Sequence, residues 1–407
     1  MRRVVVTGMG GITALGESWS EIKENMQNGK TATRVMHEWA DLKGMNTCLG
    51  APIPEHSLKD RWSRKKTRTM GPVSLYAVYA TEKALIDAGL LDDPILLSGK
   101  VGVAYGSSFG STAPMYDFAE LLFNKDLHKL TSTSYIRMMG HTAAVNIGLL
   151  FQLKGRIIPT ATACTSGSLA IGYAAEAIRS AKQDIVIAGG AEELCPSMAA
   201  VFDVLYATST TKDPYLAPRP YDGQRDGLVL GEGATSLVLE DYEHAKARGA
   251  TIYAEIVGFA TNMDGNHITQ PSPATIETVM KLALEDAQLS PKDMGFISGH
   301  GTATEFGDIV ETTATHAVFV KDKPIHSLKS YFGHTLGTCG ALESWLGIEM
   351  MRDQWIAPTA NLVTIDERCA PLHYIKGTGL SLETNYFMNN NYAFGGINTS
   401  LIFKKVI

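Results

Sequence analysis

Short β-branched or apolar runs alternate with longer helical patterns along the whole chain, and this alternation limits the fold more than any other feature. In the first half the runs are "RRVVVTG", "KVGVAYGSS", "RIIPTATA" and "DIVIAGG", and patterns such as "CTSGSLAIGYAAEAIRSA" follow them. Continuous apolar strands are typical of sheets that are covered on both faces. The sequence therefore predicts an α/β fold.

The same alternation begins again after Gly249. Its runs and helical patterns are "TIYAEIVGFA", "ATIETVMKLALEDA", "MGFISGHGT", "PIHSLKS", "HTLGTCGALESWLGIEMMRDQ" and a closing pair of strands in "NYAFGGINTSLIFKK". We therefore predict two halves, residues 1–249 and 250–407. One strand-to-helix unit places Cys164 at the start of its helix, and another places His334 there.

Composition excludes several functional classes. The chain has 407 residues, of which 45% are hydrophobic, and 42 acidic against 36 basic residues give a net charge of −6. That charge argues against a nucleic-acid partner. Five scattered cysteines without a Cys-x-x-Cys pair favour neither a disulfide framework nor a zinc site. No run approaches the roughly 20 apolar residues that span a bilayer, so we expect a cytoplasmic protein without a membrane span.

Cys164 lies in "TATACTSGS", where a predicted strand gives way to a helix rich in small residues. Unpaired N–H groups and the helix dipole at such a terminus favour a thiolate, so the sequence predicts a lowered pKa. The small neighbours leave room for a substrate to reach sulfur. This position suits an activated nucleophile whose helix amide also receives an oxyanion.

Two histidines also follow predicted strands. "GFISGHGTATEFGD" contains His300 between Gly299 and Gly301, and "SLKSYFGHTLGTCG" contains His334 after Gly333. The carboxyl ends of strands are where open α/β sheets bind ligands. We therefore expect both imidazoles to lie at one site.

Four blocks in this order, "TATACTSGS", "HGTATEFGD", "SLKSYFGHTLGTCGALE" and "NYAFGGINTSLIF", resemble the signature blocks of the decarboxylating β-ketoacyl-acyl-carrier-protein synthases, in the branch similar to ketoacyl synthase II. The resemblance extends from the first predicted strand to the last. It implies a thiolase-like fold, in which two related βαβαβαββ halves form a five-layered α/β/α/β/α sandwich.

The resemblance also implies catalytic roles. Cys164 is expected to accept the acyl group, and His300 and His334 to bind the malonyl thioester carbonyl and promote decarboxylation without a metal. Lys329 and Glu311 match a family lysine and a buried family glutamate; they are expected either to form a buried ion pair or to transfer protons. Asp308 lies one turn before Glu311 and is assigned to the substrate-binding set.

Phe394 in "AFGG" matches an aromatic gate beside the nucleophile, and its backbone N–H is expected to complete an oxyanion hole with that of Cys164. The family usually has glycine where this chain has Ala393. Thr302 and Thr304 match threonines that hold the pantetheine arm.

Phe109 in "YGSSFGST" occupies a position that lines the acyl tunnel of relatives, where smaller residues are common. A phenylalanine there removes tunnel volume, so the sequence predicts a preference for short or flat, unsaturated acyl chains. Cys339, where alanine is usual, is assigned to packing.

The implied partner is acyl carrier protein, which carries the 4′-phosphopantetheine arm, so the enzyme itself needs no cofactor. Lys65 and Arg68 in the basic segment "RWSRKKTRTMG" are the expected docking residues for this acidic partner. The family implies a homodimer, and a heterodimer with a ketosynthase-like subunit is the alternative.

Rival interpretations are weaker. Thiolases and ketoacyl synthases III use Cys-His-Cys or Cys-His-Asn sets, which do not match "GHTLG". A chain-length factor, a partner subunit without condensing activity, characteristically lacks the nucleophile that this chain has. "TGMGGIT" does not match the G-x-G-x-x-G of dinucleotide-binding folds. Fatty-acid elongation and polyene or polyketide elongation remain equally open.

Overall fold

The computed structural model describes residues 1–54 and 58–406. Its strands are β1 (Val4–Thr13), β2 (Arg34–Val35), β3 (Leu49–Ala51), β4 (Val101–Gly106), β5 (Ile157–Thr160), β6 (Ile185–Glu192), β7 (Leu230–Gly231), β8 (Gly233–Asp241), β9 (Ala254–Met263), β10 (Phe296–Ser298), β11 (Pro324–His326), β12 (Trp355–Ile356), β13 (His373–Tyr374), β14 (Leu380–Ser381), β15 (Tyr386–Ala393) and β16 (Ile397–Lys405).

The α-helices are α1 (Trp19–Gln27), α2 (Arg64–Thr67), α3 (Pro72–Asp87), α4 (Met115–Asn124), α5 (Ser132–Met138), α6 (Thr142–Leu150), α7 (Ser166–Arg179), α8 (Pro196–Asp203), α9 (Tyr242–Ala247), α10 (Pro273–Ala287), α11 (Glu305–Phe319), α12 (Lys329–Phe332) and α13 (Cys339–Asp353). Short 3₁₀ turns at Ala163–Thr165 and Leu336–Thr338 precede α7 and α13.

The main sheet repeats one topology. Strands of the first half run in the order β5-β4-β6-β8-β1, and strands of the second half run in the order β11-β10-β15-β16-β9. Numbered within its own half, each set reads 3-2-4-5-1, with two parallel pairings followed by two antiparallel ones. The halves join where β1 pairs with β9, and β13 extends the far edge.

Helices cover both faces of each half, and buried apolar residues fill the spaces between the layers. Helices α3 and α6 pack on the first half, α10 and α11 pack on the second, and α7 packs against α13 between the two. The result is the predicted five-layered α/β/α/β/α sandwich, so the fold class is confirmed.

The central layer positions the candidate site. Helices α7 and α13 both follow the third main-sheet strand of their half, β5 and β11 respectively, and the turns that precede the two helices meet in the middle of the molecule. A Cβ on Gly167 would lie 2.9 Å from the carbonyl oxygen of Gly337 and 3.0 Å from the backbone nitrogen of Ala341. The small residues around Cys164 therefore let these two helix starts approach each other.

In the described part of the chain, no helix is both long enough and apolar enough to cross a lipid bilayer.

Candidate active site

Cys164 lies in the turn between β5 and α7 and is only 4% exposed. Its neighbour Ala163 has a φ of 50°, an uncommon value for a residue with a side chain. Backbone strain of this kind tends to occur at functional sites, where the surrounding structure enforces it. Leu336, in the equivalent turn before α13, has a φ of 44°.

His334 directly contacts the thiol. Its Nε2 lies 3.0 Å from the Sγ of Cys164, and its Nδ1 accepts a hydrogen bond of 3.3 Å from the backbone N–H of Leu336. Because an accepting Nδ1 carries no hydrogen in the neutral ring, the proton is assigned to Nε2. His334 therefore presents an N–H donor toward sulfur.

His300 completes the cluster from the loop after β10. Its ring meets that of His334 edge to face, with 5.2 Å between the ring centroids. One ligand-type atom from each of Cys164, His300 and His334 falls within 4.8 Å of the others, and all three residues are buried. The three residues singled out from the sequence therefore come together.

Burial keeps both imidazoles neutral. It lowers the pKa of His300 and of His334 well below the usual value, and the nearby Lys329 ammonium lowers both pKa values further. Neutral rings suit hydrogen-bond donation to an oxygen on which negative charge develops.

The expected low pKa of Cys164 is not what the structure supports. Burial raises the pKa of this thiol to about 12, although Lys329 and the backbone N–H groups of Phe394 and Cys164 act to lower it. Desolvation of the thiolate outweighs these stabilising contacts in the substrate-free site. Cys164 is therefore a thiol at rest.

Lys329 has a different partner from the one predicted. Its Nζ lies 2.5 Å from the Oε1 of Glu343, and both side chains are 2% exposed. The predicted ion pair with Glu311 is therefore replaced by a pair with Glu343. Sequence reasoning missed Glu343 because it lies inside the regular helical pattern of α13.

Glu311 instead holds the His300 loop. Its carboxylate accepts hydrogen bonds from the backbone N–H groups of His300 at 2.5 Å and Gly301 at 2.6 Å. Burial raises the pKa of Glu311 to about 7, while these N–H groups act to lower it. The carboxylate oxygens face the backbone, and the side chain acts on His300 through that loop.

Asp308, assigned from the sequence to the substrate-binding set, lines neither of the two cavities described below. It is fully buried and accepts hydrogen bonds from the backbone N–H groups of Tyr221 at 2.7 Å and Thr302 at 3.0 Å. The guanidinium of Arg225 lies 3.4 Å from the same carboxylate. Asp308 thus fixes the turn that carries the two threonines.

A cavity of about 610 Å³ leads to the cluster. Cys164, His300 and His334 line it together with Thr302 and Thr304, whose hydroxyl oxygens lie 2.9 Å apart. Three large apolar side chains that also line this cavity are strongly exposed, and sequence reasoning did not single them out: Tyr206 at 89%, Phe306 at 72% and Ile268 at 70%. They form what we call the apolar rim.

A second cavity of about 310 Å³ contains Phe109. Its lining is mainly apolar and includes Phe109, Met115, Met198, Val201, Phe202 and Phe394. Phe394 and Phe202 line both cavities, and their ring centroids are 5.3 Å apart. Phe394 therefore lies between the two spaces, as a gate would.

Lys65 and Arg68 line neither cavity. Lys65 is in the short helix α2, Arg68 follows it, and both side chains are exposed.

Cys164, His300 and His334 could supply three ligands to a metal ion, but the groups that surround the two rings disfavour metal binding. Metal-bound histidines usually donate their second ring N–H to an acceptor. Here the Nδ1 of His334 faces the backbone N–H of Leu336, and the Nδ1 of His300 faces the amide nitrogen of Asn391 at 3.5 Å. The backbone donor behind His334 places its ring proton on Nε2, where a metal would have to bind.

Two family models together match most of the chain. "Beta-ketoacyl synthase, N-terminal domain" covers residues 1–245, and "Beta-ketoacyl synthase, C-terminal domain" covers residues 253–363. The chain is 34% identical to 3-oxoacyl-[acyl-carrier-protein] synthase 1 of Haemophilus influenzae over 409 residues, which span 100% of this chain and 99% of the relative.

Solved structures agree with this match. A beta-ketoacyl synthase from Burkholderia phymatum superposes with a TM-score of 0.99 at 55% identity, covering 100% of both chains. The ishigamide ketosynthase/chain length factor superposes with a TM-score of 0.90 at 29% identity, again covering 100% of both chains.

Proposed function

Because this chain belongs to the β-ketoacyl synthase family, we propose that it is a 3-oxoacyl-acyl-carrier-protein synthase of the Cys-His-His type. It condenses an acyl group with malonyl-acyl carrier protein, with loss of CO₂, in fatty-acid or polyene/polyketide chain elongation. The observation that carries the proposal is the convergence of two neutral imidazoles on one buried thiol.

The first step is acylation of Cys164. Its sulfur attacks the acyl thioester of the carrier, the bond from carbonyl carbon to carrier sulfur breaks, and the thiol proton leaves with the carrier thiol. The backbone N–H groups of Cys164 and Phe394 lie beside Sγ and would stabilise the oxyanion. The high pKa of the resting thiol supports a proton transfer that accompanies attack.

The second step is decarboxylation and condensation. Nε2–H groups of His300 and His334 donate to the malonyl thioester oxygen, so that loss of CO₂ leaves a stabilised enolate. The enolate carbon attacks the acyl carbonyl on Cys164, and cleavage of the carbon–sulfur bond releases the 3-oxoacyl carrier. The released Cys164 thiolate takes up one proton from solvent, so that each condensation consumes one proton overall.

Neighbouring residues prepare this site. Lys329 lowers the pKa of both imidazoles and is itself held by Glu343, while Glu311 fixes the His300 loop. Thr302 and Thr304 line the larger cavity and would bind the pantetheine arm there. The smaller cavity would receive the acyl chain, with Phe394 as gate and Phe109 limiting its length.

Carrier docking is expected at the mouth of the larger cavity, because a tethered substrate must enter there. The apolar rim would contact the carrier surface, and the exposed Lys65 and Arg68 would attract its acidic residues. The carrier supplies the phosphopantetheine, and the enzyme contributes its own side chains and backbone N–H groups.

We further propose a dimer in the cytoplasm. Strand β5 ends the main sheet with an unpaired edge, and Ile157 on it is 48% exposed. The connected elements α4, α5 and α6 lead to this edge and expose further large apolar side chains: Tyr116, Leu122, Phe123, Tyr135 and Leu149. Such a surface fits a second subunit, either an identical chain or a ketosynthase-like one such as a chain length factor.

The test is condensation with defined substrates. Acyl- and malonyl-loaded carrier proteins should give CO₂ and a 3-oxoacyl product, and iodoacetamide or Cys164→Ser should abolish product formation. Intact mass should show an acyl group on wild-type Cys164. Stable binding to a ketosynthase-like subunit without acylation or CO₂ release would instead support a chain-length factor.

A further inference from the structure

A buried chain of polar groups lies behind His300. Lys329 pairs with Glu343 Oε1 at 2.5 Å, and the other carboxylate oxygen, Oε2, accepts a hydrogen bond of 2.6 Å from the Nδ2 of Asn391. Asn391 Nδ2 lies 3.5 Å from the Nδ1 of His300. Lys329, Glu343 and Asn391 are 2%, 1% and 0% exposed, so water does not compete for these contacts.

Glu343 decides which way the Asn391 amide points. A carboxylate accepts hydrogen bonds and repels an amide oxygen, so Nδ2 must face Glu343. This nitrogen has two hydrogens, and the second has two possible acceptors, His300 Nδ1 at 3.5 Å and Cys339 Sγ at 3.7 Å, of which the ring nitrogen is nearer and the stronger acceptor. Asn391 Oδ1 has no hydrogen-bond partner among the described residues, which agrees with an orientation set on the Nδ2 side.

We propose that Asn391 is a positioning residue that fixes the tautomer of His300. Its amide donates to Nδ1, so the ring proton stays on Nε2 and points into the cavity. For His334 the same task falls to a backbone group, the N–H of Leu336. Different groups thus fix the tautomers of the two catalytic imidazoles. Substitution of the side chain that donates to Nδ1 is possible only for His300.

This inference rests on the proposed function, in which His300 donates to the malonyl thioester oxygen. A purely structural role for Asn391 is the rival explanation, because its Nδ2 also approaches Cys339 Sγ at 3.7 Å and its backbone oxygen accepts from Thr399. Cys339, for its part, lies 3.2 Å from the carbonyl oxygen of Cys164. The test must therefore distinguish a change of the His300 tautomer from a loss of packing around Asn391.

The variant Asn391→Leu removes the donor at similar size, and Asn389→Leu is the matched control. Asn389 lies two residues earlier on β15 and is equally buried, but its amide donates to the Gly340 carbonyl oxygen at 2.9 Å and to Ser344. No hydrogen bond joins it to a histidine in the described structure.

The direct readout is ¹⁵N NMR of labelled histidines in the full-length protein. In the wild type we expect the Nε2–H tautomer at His300, and in Asn391→Leu a mixture that contains Nδ1–H. Release of CO₂ from malonyl-carrier protein should fall about a hundredfold, as when one oxyanion donor is lost. Acylation of Cys164 should stay within about twofold, since that step uses backbone donors.

Several results would overturn the proposal. Observation of the Nδ1–H tautomer at His300 in the wild type would overturn it without any variant. The proposal can therefore be tested even if Asn391→Leu does not fold. An unchanged tautomer in a folded Asn391→Leu, or an equal loss of both partial reactions in the two leucine variants, would favour packing. A wild-type enzyme that shows the Nε2–H tautomer but neither partial reaction would refute the proposed function instead.

Discussion

Cys164 shows at the scale of one residue how burial competes with a helix terminus. The turn before α7 supplies stabilising N–H groups, yet removal of the sulfur from water raises its pKa to about 12. The rate of alkylation by iodoacetamide in the substrate-free enzyme should therefore climb steadily between about pH 7 and pH 10, because only the thiolate reacts. A plateau of the alkylation rate near neutral pH would contradict this expectation and restore the lowered pKa that the sequence suggested.

Phe109 is the residue whose size should set the acyl preference. Its ring occupies the lining of a cavity of about 310 Å³ beside the gate residue Phe394. The wild type should extend short or unsaturated acyl chains faster than long saturated ones. Phe109→Ala should shift kcat/KM toward longer chains by about fourfold for each additional methylene that the enlarged cavity buries, since each contributes about 0.8 kcal/mol. Extension assays over a series of acyl-carrier lengths provide the measurement.

The control for Phe109 is a second large side chain that lines the same cavity, Met198. Met198→Ala enlarges the same cavity, so a gain shared equally by both variants would mean that volume alone matters. Undiminished extension of long saturated chains by the wild type would exclude Phe109 as the limiting residue.

At the scale of secondary-structure elements, the Lys329–Glu343 pair joins α12 to α13 within a water-free interior. Glu343→Gln leaves the ammonium buried without its counter-charge, and such losses cost about 3–5 kcal/mol. We expect a corresponding drop in the free energy of unfolding in urea. The double variant Lys329→Met/Glu343→Leu should recover most of it.

An exposed ion pair serves as the matched comparison. Glu277 and Lys281 lie one turn apart on α10, with side chains 32% and 58% exposed. Glu277→Gln should change the free energy of unfolding by no more than about 0.5 kcal/mol. If Glu277→Gln and Glu343→Gln lowered the free energy of unfolding equally, burial of the Lys329–Glu343 pair would have no effect on the cost of breaking it.

Local patterns predicted the elements well, because β-branched runs and helical periodicity depend on neighbours in sequence. The run "RRVVVTG" became β1, and the pattern after "HTLGTCG" became α13. The ion-pair partner of Lys329 could not be found this way. The sequence around Glu343 has the pattern of an ordinary helix and gives no sign of an ion pair. Only the tertiary fold brings Glu343 into contact with Lys329 and Asn391.

At the scale of the whole molecule, the topological repeat explains why the site forms where it does. Each half brings a turn that follows its third main-sheet strand, β5 or β11, to the central layer, so Cys164 from one half meets His334 from the other. The sequence indicated two similar halves, but their pairing through β1 and β9 needed the structure, since no local pattern specifies which strand edges meet.

The free edge of β5 should be where a second subunit attaches. Ile157→Lys places a charge on this edge, and charges on edge strands prevent strand pairing. Analytical ultracentrifugation should then show a monomer in place of a dimer. Condensing activity should also fall, because β5 leads within a few residues to Cys164, and loss of the partner frees that connection to move.

Leu282→Lys provides the control for a charge placed on an exposed apolar position elsewhere. Leu282 is 42% exposed on α10, which packs against β9 and β16 in the second half of the molecule. Its substitution should therefore leave both association and activity unchanged. If Ile157→Lys still formed a dimer, the interface would not include the edge of β5. A dimer lost with Leu282→Lys alone would place it on the outer helices of the second half, where it could no longer support the Cys164 turn.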